Sequence, residues 1–213
     1  MSNDATFNTF TPAPLDKSKR TWLIASGCAG CVGVAGLAVP LVRSFGPSEL
    51  AKASGGPVEA DISGLKPGEK MIVAWRGKPV WILNRTPEMM DGLKKVNPSD
   101  LADPNSKRTN FASTPEYARN DARARADRPN LLVMVGICTH LGCSPVDKFA
   151  SGTQTGLPDN WDGGFLCPCH GSTYDLSGRV YKNKPAPDNL EIPPYQYLSA
   201  TRLLVGDDTT KKA

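Results

Sequence analysis

Residues 21–42 carry no charged side chain, and no other feature restricts the folding of this chain so firmly. Where water is absent, an apolar run of this length must pair its backbone groups internally, which makes it a helix. At about 1.5 Å per residue it spans roughly 33 Å, close to the ~30 Å hydrocarbon core of a bilayer. Lys17, Lys19 and Arg20 precede it, and Arg43 stands alone after it. That asymmetry predicts a single-pass anchor over 21–42, with residues 1–20 in the cytoplasm and the rest of the chain outside. A cleaved signal peptide is the competing reading. The run is long for one, and Ala38-Val39-Pro40-Leu41 is a poor small-x-small cleavage site. Ser26/Gly30 and Ala29/Gly33 share a helix face, a spacing that lets another helix approach closely in lipid. Cys28 and Cys31 form a C-x-x-C inside this segment. It reads as structural, because a thiolate is costly in a bilayer and no further ligand is near in sequence.

Beyond the anchor, residues 43–57 read as a flexible tether rich in Gly, Ser, Pro and Ala, without apolar periodicity. The outer domain covers 58–213. Residues 71–75 and 79–83 are β-branched and aromatic around Gly77, which predicts a hairpin. Thr86 and Pro87 mark a helix start, giving a helix over 87–96. Residues 97–130 are polar and read as a surface insertion with a short helix. The arginines from Arg119 to Arg128 then form a solvated face. Residues 131–135 are a continuous apolar run of strand length, 164–166 a shorter one, and 195–205 supply one or two closing strands. The fold class is therefore mainly β, with loops at strand ends. A net charge of +4 with 21 acidic residues leaves no concentrated basic stripe, so nucleic acid is not an expected partner.

Two of those loops gather four of the six cysteines and both histidines of the chain. They are Cys138-Thr139-His140-Leu141-Gly142-Cys143 and Cys167-Pro168-Cys169-His170-Gly171-Ser172. Such Cys-x-His and Cys-x-x-His hooks coordinate metal, and taken alone they leave zinc a serious rival. Three features count against zinc. Each hook has one cysteine left over, Cys143 and Cys169. In a domain outside the cytoplasm two spare thiols are expected to pair as a disulfide, locking the loops together. Only Pro168 separates Cys167 from Cys169, so one can ligate while the other crosslinks.

The paired hooks resemble the two cluster-binding loops of Rieske iron–sulfur proteins, specifically those of ubiquinol–cytochrome c reductase. The anchor, tether and strand pattern extend the resemblance over most of the chain. It implies an antiparallel β-sandwich of Rieske type with a cluster-binding subdomain over 138–174. It implies one 2Fe-2S cluster, with one iron on Cys138 and Cys167 and the other on His140 and His170. Cys143 and Cys169 would be the crosslink, and Ser172 and Tyr174 would hydrogen-bond the cluster sulfide and a ligand sulfur. Leu141, Gly142 and Pro187 would form the docking surface. One departure is visible: the family's proline loop often reads Gly-Pro-Ala-Pro, and here it is Lys184-Pro185-Ala186-Pro187. Ser18-Lys19-Arg20-Thr21-Trp22-Leu23 also resembles a twin-arginine export signal, with Lys19 in place of the first arginine.

The activity implied is electron transfer from ubiquinol to a c-type cytochrome, with the quinol's proton taken at a ligand histidine and protons translocated as a result. The implied partners are a cytochrome b and a c-type cytochrome in a dimeric complex. The implied location is a bacterial inner membrane, with the outer domain in the periplasm and the tether permitting travel between quinol and cytochrome. Two alternatives stand beside this reading: the Rieske subunit of another exported oxidoreductase, arsenite oxidase-like, and a zinc-stabilised binding module. The wide gap between the hooks and the retained anchor argue against the former.

Overall fold

The computed structural model describes residues 16–46, 48, 55–158 and 160–209. The anchor and the outer domain are separate compact units. The expected tether, 43–57, falls outside the described residues at 47 and 49–54, and most of 1–20 lies outside them as well. Helix α1 runs Lys17–Ser44, longer at both ends than the uncharged run, because Asp16 caps it. The Asp16 carboxylate accepts from the Ser18 and Lys19 N–H groups at 3.0 and 3.4 Å, satisfying donors that a helix start leaves open. Within the helix, the Ser26 hydroxyl donates to Trp22 O at 2.8 Å, so the run offers lipid no open hydroxyl donor there. The helix is long and apolar enough to cross a membrane, with a mean hydropathy of 1.9 in its best window.

The outer domain is built from three antiparallel three-stranded sheets. The first pairs β1 (Val58–Asp61), β9 (Arg202–Val205) and β8 (Tyr195–Tyr197) in that order, so the chain's last strand sits between its first and its penultimate one. The second pairs β2 (Lys70–Trp75), β3 (Lys78–Asn84) and β4 (Leu131–Val135). β2 and β3 are the expected hairpin, turning at Arg76-Gly77 with positive φ at both residues. All five residues of β4 are buried, as a continuous apolar run requires. The third sheet pairs β5 (Val146–Lys148), β6 (Gly164–Leu166) and β7 (Thr173–Asp175). One core joins all three sheets, from Leu203 and Val205 through Val80, Ile82 and Val133 to Phe165 and Tyr174.

Helix α2 (Pro87–Lys95) follows β3, with the Thr86 hydroxyl accepting from Met89 N at 3.3 Å. It ends one residue before the expected Val96, which is already extended, and Asn97 is held extended by the Pro98 that follows it. The segment 97–130 departs from expectation. It holds two 3-10 turns, Pro98–Asp100 and Glu116–Ala118, and no longer helix. It is not a surface insertion either: Leu101, Ala112, Ala118, Arg123 and Ala124 are buried. Of the four arginines expected to face solvent, Arg119 does, Arg125 and Arg128 are half-buried, and Arg123 is fully enclosed. The physical reason is that this interior is lined by main-chain carbonyls, which a guanidinium fork can satisfy at several points at once.

Candidate metal centre

The two hooks leave the ends of β4 and β6 and close on themselves by the same pair of hydrogen bonds. In the first, Gly142 N donates to Cys138 O at 3.1 Å and Cys138 N to Cys143 O at 2.8 Å. In the second, Gly171 N donates to Cys167 O at 3.0 Å and Cys167 N to Ser172 O at 2.7 Å. The fourth residue after each leading cysteine is a glycine with φ of +84° and +73°, a conformation other side chains resist. The equivalence of Gly142 with Gly171 is readable in the sequence once the leading cysteines are superposed.

This closure sorts the side chains. Cys138 and Cys167 are each 2% exposed and keep free thiols. Burial pushes the Cys167 thiol up, and a hydrogen bond with the neighbouring Cys138 side chain pushes it the same way. His140 and His170 stand at the outer end, their ring centres 4.7 Å apart and nearly edge-to-face. Leu141 is 71% exposed between them and Gly142. Cys143 and Cys169 are joined as a disulfide between the loops. The sulfurs of Cys143, Cys167 and Cys169 lie within 4.8 Å of one another, but two of the three are bonded together and only Cys167 retains a thiol.

Around the hooks, donors converge. Tyr174, wholly buried on β7, donates its hydroxyl to the Cys138 sulfur at 3.1 Å. Burial raises its pKa strongly, so the hydroxyl keeps its proton. Ser172 Oγ, also buried, accepts from Ala186 N at 3.0 Å, which leaves its own hydrogen to donate elsewhere. The Pro185-Ala186-Pro187 loop is thereby tied to the second hook. It is tied to the first as well, where the Thr139 hydroxyl donates to Asp188 O at 2.6 Å. Arg108, from the segment 97–130, donates to Pro187 O at 2.9 Å. Sequence reasoning missed Thr139, Asp188 and Arg108. A threonine between two candidate ligands was the one available signal.

The comparisons with known proteins agree with this geometry. The family model "Rieske [2Fe-2S] domain" matches residues 115–195, which contain both hooks, Ser172, Tyr174 and the proline loop. The ubiquinol-cytochrome c reductase iron-sulfur subunit of Allochromatium vinosum is 47% identical over 190 residues, covering 89% of this chain and 88% of its own. The chain belongs to that family. The Bradyrhizobium diazoefficiens subunit of the same name is 39% identical over 183 residues, covering 86% of this chain and 90% of its own. A solved chain titled "Hyperthermophilic respiratory Complex III" aligns with a TM-score of 0.42 and 28% identity, over 84% of this chain and 97% of that one.

The Rieske domain of this chain carries one 2Fe-2S cluster of Rieske type. The donor set fits that group: two buried thiols share a hydrogen bond, two imidazoles stand at the rim, and a hydroxyl is aimed at a thiol sulfur. Tyr174 meets Cys138, Ser172 meets the loop that carries Pro187, and the disulfide and the imidazole pair bring the two hooks together.

Proposed function

We propose that this Rieske subunit takes an electron and a proton from ubiquinol at His140 and His170 and passes the electron to a c-type cytochrome. The observation that carries the reading is the pair of imidazoles at 4.7 Å on an exposed rim above two buried thiols. Cys138 and Cys167 would hold one iron, His140 and His170 the other. Replacing two thiolates by neutral imidazoles removes two negative charges, so the group would supply one-electron chemistry at roughly −150 to +300 mV, against about −400 mV for the all-cysteine plant type.

Each histidine would give one ring nitrogen to iron, and the other would be the atom that takes the quinol's proton. Tyr174 and Ser172 direct hydroxyl hydrogens at sulfur, where negative charge grows on reduction. The Cys143–Cys169 bond holds the two hooks at a fixed separation. Leu141, Gly142 and Pro187 form the apolar surface that seats in the membrane partner, a cytochrome b, next to the quinol. α1 anchors the subunit in a bacterial inner membrane, with Lys17, Lys19 and Arg20 on the cytoplasmic side and the Rieske domain in the periplasm. The assembly is a dimeric complex with a cytochrome b and a c-type cytochrome.

The test is low-temperature EPR of the ascorbate-reduced complex. A rhombic signal that shifts when a quinone-site inhibitor is added is expected. A metal content of zinc without acid-labile sulfide would sink the reading, and a signal indifferent to every such inhibitor would sink the quinol contact.

A further inference from the structure

Three arginines, Arg85, Arg123 and Arg179, meet beneath the turn that follows β7, each no more than 2% exposed. The carboxylate that joins them is Asp175, also wholly buried, which holds Arg179 Nε at 2.7 Å. Among the described residues, Arg85 and Arg123 have no carboxylate in bonding reach, although Asp175 acts on both through space and Asp103 on Arg123. Arg123 donates to Ser177 O, Gly178 O, Leu190 O and Thr114 Oγ1. Arg85 donates to Leu176 O, Ser177 Oγ, Ala122 O and Pro129 O. Carbonyl dipoles solvate a cation without cancelling its charge. Burial pulls both guanidiniums down to about 10, which leaves them charged at neutral pH.

Asp103 and Asp188 are buried too, but their oxygens bond the main-chain N–H groups of Lys107, Arg108 and Phe111, not a guanidinium. Asp121 reaches Arg179 at 3.3 Å from a side chain 94% exposed, where water screens it.

A Cβ built on Gly178 would be 3.2 Å from Arg123 Nη1 and 2.9 Å from Met134 Sδ, so the guanidinium sits level with Met134. Met134 is on β4, four residues before Cys138, or about 13 Å at ~3.3 Å per residue. The matter in that region is buried side chain: Tyr174, Val180 and Leu190 are inaccessible to water. Salt and solvent screen little across such an interior. Arg85 is farther, since its guanidinium reaches Pro129 O, just before the start of β4 and so at the end of that strand away from the hooks.

We propose that Arg123 sets the potential of the cluster: its buried charge, unmatched by a bonded carboxylate, stabilises the added electron and raises the midpoint. Reduction adds one negative charge at the hooks, so a fixed cation favours the reduced form. The proposal rests on the reading that the hooks hold the 2Fe-2S cluster.

Two substitutions remove the charge effect by different structural routes. Arg123→Met deletes the cation. Thr114→Asp keeps it and places a carboxylate where Thr114 Oγ1 now sits, 2.8 Å from Arg123 Nη2. Redox titration of each purified complex, followed by EPR of the reduced cluster, should show a lower midpoint in both, with Arg85→Met shifted less because it is more distant. A midpoint equal to the parent's in Thr114→Asp, with the EPR line shape intact, would overturn the proposal and leave Arg123 a structural staple. If Arg123→Met fails to assemble, Thr114→Asp decides. Absence of the Rieske signal from the unsubstituted complex would instead defeat the reading on which the proposal stands.

Discussion

At the scale of single residues, the hydroxyl of Tyr174 is the most direct lever on the cluster. It donates to the Cys138 sulfur at 3.1 Å. Its bond strengthens as sulfur gains electron density, so removing it disfavours reduction. If the gain is about 1 kcal/mol, Tyr174→Phe lowers the midpoint by roughly 40 mV, since a one-electron couple changes 59 mV per tenfold. Redox titration with retained iron checks this, and an unchanged midpoint would remove Tyr174 from the tuning set. The candidate ligands were legible as a metal-binding pattern, because two short loops hold both histidines and four of the six cysteines. Arg123 was not legible. Read alone, an arginine in a polar stretch is a surface residue, and only the enclosed carbonyls of Ser177, Gly178 and Leu190 make its burial tolerable.

At the scale of elements, the entry to the first hook depends on a close approach. Gly136 follows β4, and a Cβ there would lie 2.0 Å from the Trp81 ring. Trp81 in turn packs on Phe165 of β6, with ring centres 5.5 Å apart, so the indole links the second sheet to the third. Gly136→Ala is expected to destabilise the domain by about 1–3 kcal/mol, the usual cost of overpacking, as a lowered denaturation midpoint with unchanged slope. The disulfide acts between elements too. It closes a loop of 26 residues, worth about 3.5 kcal/mol by the chain-entropy estimate. Cys143→Ala should therefore purify with both irons but lose them at a lower temperature. Loss of all iron at purification would mean that Cys143 itself ligates. Strands β2, β3 and β4 and helix α2 could be read from pattern and caps. The burial of 97–130 could not, because its apolar residues are scattered singly and its order comes from bonds to distant segments, such as Asn189 Nδ2 to Asp103 O at 2.9 Å.

At the scale of the whole outer domain, the tyrosines and buried arginines set opposing responses to alkaline pH. Burial raises the pKa of Tyr117, Tyr181 and Tyr195, and brings Tyr197 up to about 12. In the unfolded chain these groups ionise near 10. A raised folded pKa gives stability that is complete below about pH 10 and is lost as pH climbs toward the folded value, because the unfolded state then binds fewer protons. Arg85 and Arg123 run the other way. Their folded values near 10 lie below the unfolded one, so they restore stability as pH rises through that range. Five tyrosines oppose two arginines, since burial raises Tyr174 as well, although Tyr117, Tyr181 and Tyr197 are half-exposed and count for less than the wholly buried Tyr174 and Tyr195. The net expectation is a melting temperature that is flat up to about pH 10 and falls beyond it, with tyrosinate absorbance appearing together with unfolding. In Tyr195→Phe the fall should be shallower. A melting temperature that rose above pH 10 would show that the arginines dominate, and a tyrosinate signal preceding unfolding would show that the rings are not protected by the fold.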